Sequence, residues 1–395
     1  LKICVNALSI EPGVTGGGET FLVNLMRQLS RHDTRNRYLV LTTRTNRRLF
    51  GRIQPHLECR TIINSSKART LRILFENLVL PFYLLLRRVD LYYSPFGTLP
   101  LFLFCKSVVT VQNLIYFDFA DNVPYRGESW RSRITLALQG IYFRSLIPRA
   151  LKKADAVWAV SETTASTLQE RCGIERDRIE MIYEGVDFEE FNAARRSDTG
   201  PPKIQPPYIV SVATMYPNKN IDKLIVAFGS LVVKGFPHRL VIIGPDWLGY
   251  QKVLQQYVDI LNLSDRVTFT GAVPHRDLPQ YLWNADLFVL LSTVESFGLP
   301  VLEAMAAGVP VIVSNTSSLP EIAGNAAITT PPTRPSRLTE EMIRVLTDRA
   351  LAKQMRERGM NRARSFGWNE TAIRAIDLFN RVGRQSSIRM EAAGC

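Results

Sequence analysis

Two glutamates, Glu295 and Glu303, have seven residues between them in Thr293-Val-Glu-Ser-Phe-Gly-Leu-Pro-Val-Leu-Glu303. A carboxylate only accepts hydrogen bonds, so such a pair suits a ligand rich in hydroxyl groups. Between them, Ser296-Phe-Gly-Leu299 offers backbone N–H groups at the start of a helix, a place that favours anions and hydroxyl oxygens. The bare spacing by itself is better explained by a glutamate closing a strand and another on a solvated helix face. Three further places carry polar chemistry. Lys219, at the end of Ala213-Thr-Met-Tyr-Pro-Asn-Lys219, precedes a helix, where its charge opposes the helix dipole unless an anion sits there too. Gly16-Gly17-Gly18 lies in a strand-to-helix turn, where absent side chains let a ligand approach the backbone. Gln112 and Asn113 directly follow an apolar run.

The elements around these residues decide between the readings. Leu287-Phe-Val-Leu-Leu291 is short and continuously apolar, as a strand buried on both faces should be. Pro300 suits the first helical turn, and Gly308 suits the residue after the helix. Val309-Pro-Val-Ile-Val313 reads as the next strand. Glu295 thus falls at a strand's carboxyl end and Glu303 in the first turns of the helix, both at the edge where open α/β sheets bind ligands. The same alternation recurs along the chain. Strands are expected at Lys2–Leu8, Tyr38–Thr42, Asp90–Tyr93, Ser107–Val111, Ala156–Val160, Ile179–Tyr183, Tyr208–Val212, Arg239–Ile243 and Val267–Gly271, with helices between several of them. Repeated βα units imply parallel sheets with right-handed crossovers. A basic amphipathic helix is expected over Arg126–Lys153, and a last helix from about Ser365 to Val382.

A chain of 395 residues is too long for one ordinary core, so two domains are expected. The Pro/Gly-rich stretch 193–207 reads as the linker between residues 1–192 and 208–364, with 365–395 as a terminal helix and tail. The net charge of +13 is uneven: Leu1–Lys153 holds 23 Lys and Arg against 9 Asp and Glu, whereas the rest holds 26 against 27. A basic first half points to an anionic partner such as a membrane surface or a phosphorylated substrate. Nucleic acid is disfavoured, because no aromatic platform or reading motif interleaves the basic residues. Five scattered cysteines and four scattered histidines fit neither a disulfide frame nor a zinc site, and agree with a reducing cytosolic setting. Lys2–Asn6 reads as a first strand rather than a signal segment. The longest apolar run, Leu78–Leu86, has nine residues and a proline, too few to span a bilayer. Arg87 and Arg88 follow it at once, which fits either a buried helix with a basic end or an interfacial segment.

Taken together, these segments resemble glycosyltransferase family 4, whose members have the GT-B fold. The motif E-x-F-G-x-x-x-x-E is present as Glu295–Glu303 and continues into Ala304-Met-Ala-Ala-Gly-Val-Pro-Val311 and Ser318-Leu-Pro-Glu321. Thr214–Asn220, Ser161-Glu162, Glu184-Gly-Val-Asp187 and Gly16-Gly17 with Glu19 follow in the family's order. The resemblance implies an α/β protein of two Rossmann-like, doubly wound domains facing across a cleft, with the C-terminal helix crossing back to the first. It implies a nucleotide-sugar donor, GDP- or UDP-linked, in the second domain and an acceptor in the first. Retention at the anomeric carbon is expected, without a cofactor or a required metal.

The roles it implies fall on particular residues. Glu303 would hold the ribose. Glu295, with the N–H groups of Phe297, Gly298 and Leu299, would orient the sugar. Lys219, helped by Gly16 and Gly17, would neutralise the leaving diphosphate. Gln112 would position substrate, with Asn113 and Tyr116 towards the acceptor. Two departures stand out. Ala213 and Asn218 occupy positions where many members carry Arg, and Gln112-Asn113 replaces a His-Asp pair. The expected activity is transfer of a hexose, with mannose the first choice, to a lipid-linked saccharide in surface polysaccharide synthesis. The expected location is peripheral, on the inner face of the cytoplasmic membrane. The rival readings are a sugar-nucleotide 2-epimerase of similar shape and a non-catalytic nucleotide-sugar or lipid-binding module. A nicotinamide dehydrogenase is disfavoured because no G-x-G-x-x-G follows a strand.

Overall fold

The computed structural model describes residues 1–13, 16–51, 57–65, 69–114, 147–193, 204–246 and 249–392. Tyr116 and most of the helix expected over Arg126–Lys153 lie outside them; residues 147–153 of that helix are described and are helical. The described chain divides into two compact units. The first holds the N-terminal part through Gly185 together with Trp368 onward, and the second runs from Val186 to Gly367. The changeover at Gly185 therefore falls upstream of the 193–207 stretch, whose residues 194–203 are outside the described set.

The first unit is built on a parallel sheet of seven strands: β1 (Lys2–Asn6), β2 (Arg37–Thr43), β3 (Leu57–Ile63), β4 (Leu91–Ser94), β5 (Lys106–Val111), β6 (Ala156–Ala159) and β7 (Ile179–Met181). Their spatial order is β3-β2-β1-β4-β5-β6-β7. The chain runs outward from β1 to β3, then returns to place β4 on the other side of β1. β3 was not expected from sequence. It is an edge strand, and its alternation of half-buried positions with exposed Glu58 and Arg60 resembles a charged loop. The helix Gly17–His32 buries Phe21, Leu22, Leu25, Met26 and Leu29, one stripe at helical spacing.

The final helix, Trp368–Ala392, belongs to this first unit, so the chain does cross back; it also runs ten residues beyond the expected end at Val382. Phe379 packs 5.0 Å from Tyr93, and Trp368 packs 5.9 Å from Phe21, centroid to centroid. Arg374 and Arg381 both pair with Glu180.

The second unit carries six parallel strands: β8 (Tyr208–Val212), β9 (Arg239–Ile243), β10 (Val267–Gly271), β11 (Leu287–Leu290), β12 (Val311–Ser314) and β13 (Ile328–Thr330), in the order β10-β9-β8-β11-β12-β13. β8 pairs with β11 through Ile209 and Val210. The strand order reverses there, and in open α/β sheets ligands bind at the carboxyl edge of such a reversal. Ile209, Leu240, Ile242, Leu287, Val289 and Ile312 pack one face of the sheet against the helices Ile221–Val233 and Pro335–Thr347.

Candidate active site

Two loops flank the reversal in the second sheet. The loop after β8 ends in a short 3-10 turn, Pro217–Lys219, and the loop after β11 carries Glu295. Lys219 Nζ lies 2.5 Å from Glu295 Oε1, with both side chains more than four-fifths buried. The lysine expected to await an anion therefore meets a carboxylate from the neighbouring loop. Ser292 Oγ donates to the same oxygen at 2.9 Å. The backbones are joined as well: Thr293 N–H donates to the Asn218 carbonyl at 2.8 Å, and Asn220 Nδ2 donates to the Leu291 carbonyl at 2.8 Å. Asn220 takes a left-handed φ of 50°, which ends the 3-10 turn and starts the helix Ile221–Val233.

A second layer pins Glu295 from the other side. The segment after β12, Ser314-Asn-Thr-Ser-Ser318, spends its hydroxyls on backbone. Ser317 Oγ accepts from Glu295 N–H at 3.0 Å. Ser318 Oγ donates to the carbonyls of Glu295 and Phe297 at 3.0 and 2.9 Å. Thr316 Oγ1 donates to the Ser292 carbonyl at 3.0 Å. Each bond adds about 1 kcal/mol at most, but together they fix where the Glu295 carboxylate points. The sequence signal was five small polar residues in a row after a strand.

Gly298 caps the helix Leu299–Ala306 without a side-chain hydrogen bond. Its φ is 110°, and a Cβ there would come within 2.8 Å of Leu319 Cδ2, so the turn admits glycine alone without strain. Phe297 and Leu299 are buried beside it. Glu303 lies on this helix, 5% exposed. Its partner is His275, whose Nε2 sits 2.8 Å from Glu303 Oε1. Burial pushes the His275 imidazole down. The hydrogen bond and charge of Glu303, with Glu190 and Asp187 behind it, more than reverse this and hold the imidazole up at about 9. Phe191 meets the same ring edge-on at 5.5 Å. Sequence reasoning passed over His275, which lies 28 residues from its partner in the chain.

The remaining expected residues lie in the first unit. Gly16, with φ 62°, caps the helix that begins at Gly17, and Gly13 N–H is held by Glu19 Oε2 at 2.8 Å. Gln112 and Asn113 follow β5. Gln112 Nε2 reaches Glu184 Oε1 at 3.4 Å, and its buried Oε1 has no protein partner. That orphaned acceptor calls for a donor. The first sheet has its own reversal, between β1 and β4. There Asn6 Nδ2 donates to Glu76 Oε1 at 2.9 Å and to Tyr92 Oη at 2.7 Å. Burial raises the Glu76 carboxyl above its usual range.

The two-unit, doubly wound fold is the GT-B class. A profile described as "Glycosyl transferases group 1" matches residues 195–362, and one described as "Glycosyltransferase Family 4" matches residues 15–190. The chain belongs to this family. It is 33% identical over 174 residues to the O-antigen chain mannosyltransferase B of Escherichia coli, covering 44% of this chain and 45% of the relative. It is 32% identical over 248 residues to the serotype-specific mannosyltransferase WbdA of Escherichia coli, covering 60% and 30%. The chain thus spans less than half the length of these curated relatives. Anabaena Alr3699/HepE, solved in complex with UDP and glucose, shares the fold with a TM-score of 0.71 at 17% identity, over 96% of this chain and 99% of that one.

Proposed function

We propose that the protein is a retaining hexosyltransferase that takes a sugar from a nucleotide donor, with GDP-mannose the favoured one. The acceptor is a lipid-linked saccharide in surface polysaccharide assembly, made at the cytoplasmic face of the membrane. The observation that carries this reading is the Lys219–Glu295 pair at the reversal of the second sheet, held by both loops and by the serines after β12. The mannosyltransferase relatives support the sugar, and the UDP-bound neighbour supports a nucleotide at this kind of fold.

The geometry suggests how the residues act. The bond from the anomeric carbon to the diphosphate oxygen breaks, and its electrons go to that oxygen. An acceptor hydroxyl forms the new bond on the same face and gives its proton to the departing oxygen. Lys219 offsets the charge that appears there, which is the largest electrostatic demand of the step. Glu295 is the lysine's resting counter-charge and, with Lys219 turned to the diphosphate, accepts from the sugar hydroxyls. Glu303 accepts from the ribose, with His275 holding one of its oxygens. Gln112 offers its unpaired Oε1 to an acceptor hydroxyl in the first unit.

The test is transfer of labelled sugar from a panel of GDP- and UDP-sugars to a lipid-linked acceptor. Glu295→Ala and Lys219→Ala should each lower turnover by roughly 10²–10³-fold. Full activity in both variants would sink the reading.

A further inference from the structure

Fifteen large hydrophobic side chains are exposed among the described residues, and eleven of them lie between Leu71 and Phe104 in the first unit. They come from two places. The first is a continuous helical stretch, Arg69–Leu74, a π-helical turn Phe75–Val79, and Leu80–Leu86. The second is the loop before β5. On the helix, Leu71, Leu74, Leu78, Phe82 and Leu85 recur at three- and four-residue steps and are each half or more exposed. Leu86, at its end, is 83% exposed. The inward face is apolar too, with Leu80 and Leu84 in the core. A helix in water puts its polar residues outward, and this one does not. Leu78–Leu86, whose sequence fits a buried or an interfacial helix and whose basic surroundings favour the interface, is half-buried with an apolar outer face.

The loop adds to the same surface. Phe82, Phe102 and Phe104 form a cluster with centroids 5.7 to 5.9 Å apart, and all three rings remain more than two-fifths exposed. Positive charge borders the patch. Arg87 and Arg88 follow the helix directly, and Lys153 Nζ is anchored on the Leu101 carbonyl at 3.1 Å, which places an exposed cation at the base of the loop. Among the described residues the acidic groups nearby are engaged: Glu76 is buried against Asn6, Asp155 pairs with Lys106 at 2.7 Å, and Asp90 accepts from Lys2 N–H at 2.7 Å. Scattered exposed leucines would need no explanation, but a continuous patch does.

We propose that this face docks on an anionic lipid bilayer, with the outer helix stripe and the three phenylalanines entering the acyl boundary and the arginines and Lys153 meeting the headgroups. The charge complementarity selects lipid over a protein partner: an apolar stripe with a cationic border, whose neighbouring acids among the described residues are engaged, matches an interface of acyl chains under phosphate. No described helix is long and apolar enough to cross a membrane, so the contact is with one leaflet. The proposal deepens the proposed function by giving a transferase of lipid-linked acceptors its surface, and rests on that reading only for its purpose.

Full-length protein is sedimented with vesicles of phosphatidylcholine alone or mixed with phosphatidylglycerol, without donor or acceptor. Binding is expected only to the anionic vesicles and should weaken with salt. Arg87→Gln with Arg88→Gln should weaken it roughly fivefold for each charge removed. Leu78→Glu with Leu86→Glu should reduce it at least tenfold, at an unchanged melting temperature and with unchanged transfer to a water-soluble acceptor analogue. Equal binding by this apolar variant and the parent overturns the proposal. So does a parent that is dimeric and ignores lipid while the apolar variant is monomeric, which would assign the face to a second copy. Vesicle binding by a protein that transfers no sugar would refute the proposed function and leave this inference standing.

Discussion

At the scale of single residues, the site is a set of charges that neutralise one another before any substrate arrives. Lys219 and Glu295 are paired across two loops, so under the proposed function a diphosphate would have to compete with a carboxylate for the lysine. Removing only one partner leaves the other charge four-fifths buried and unmatched, which costs more than the pair contributes. Glu295→Gln is therefore expected to lower the melting temperature and turnover together. The double change Glu295→Gln/Lys219→Met should recover part of the stability and none of the turnover, as read by thermal melts beside transfer rates. His275 supplies a second test. Its folded-state imidazole is raised to about 9 from an ordinary value near 6.5, so its bond to Glu303 stabilises the fold fully below about pH 6.5. That stabilisation is lost as pH rises through about 9. Because the ring is about one-third exposed, the loss should be about 1–2 kcal/mol rather than the full shift. Melting curves between pH 6 and pH 10 should show this decline in the parent and a flatter profile in His275→Gln. An equally steep decline in the variant would remove the pair from the account.

At the scale of elements, the loop after β8 owes its position to close backbone contacts. Gly244, just past β9, has a φ of 150°, and a Cβ there would lie 2.0 Å from the Ala213 carbonyl oxygen. Ala213 N–H is itself held by the Ile243 carbonyl at 2.9 Å, so neither backbone can retreat without breaking the pairing of β8 with β9. Gly244→Ala is expected to cost about 3 kcal/mol or more and to displace the turn that carries Lys219. The measurement is denaturant unfolding together with donor affinity, and wild-type values in both would show that the loop adapts. Elements with local signals were legible in the sequence. The β11–loop–helix–β12 frame announced itself through two apolar runs, a proline in the first helical turn and Gly308 with its positive φ after the helix. Features that depend on distant partners were not. The serines after β12 act on backbone about 22 residues earlier, and His275 meets Glu303 only through folding. β3 hid as a charged edge, and the helix before β4 was legible over Leu78–Leu86 but not from its start at Arg69. The expected site residues divided in the same way: the Glu295 motif was found from its neighbours in sequence, and Glu184 beside Gln112 was visible only in space.

At the scale of the whole molecule, the chain's end completes its beginning. The helix Trp368–Ala392 follows the second unit in sequence yet belongs to the first, where Ala372, Ala375, Leu378, Phe379 and Val382 are buried. Trp368 sits so close to Gly185 that a Cβ on that glycine would meet its backbone nitrogen at 2.5 Å. A chain ended at Gly367 would take Trp368 from Phe21 and Phe379 from Tyr93, leaving each ring with Trp158 alone among the described aromatic side chains. Losing a buried aromatic side chain such as Trp368 or Phe379 costs about 3–5 kcal/mol, and a domain holds only about 5–15 kcal/mol in total. The first unit should then fail to fold, while the second, whose core is closed by its own elements, should persist. Hydrogen exchange measures this directly. In the shortened chain the amides of β4 and β5 should exchange like an unfolded segment, and those of β8 and β11 should stay protected. Nucleotide should still slow exchange in the loops around Lys219 and Glu295, and transfer to the acceptor should be abolished. Protected β4 and β5 amides in that chain would show that the first unit stands without its last helix, and the crossing would then need a reason other than stability.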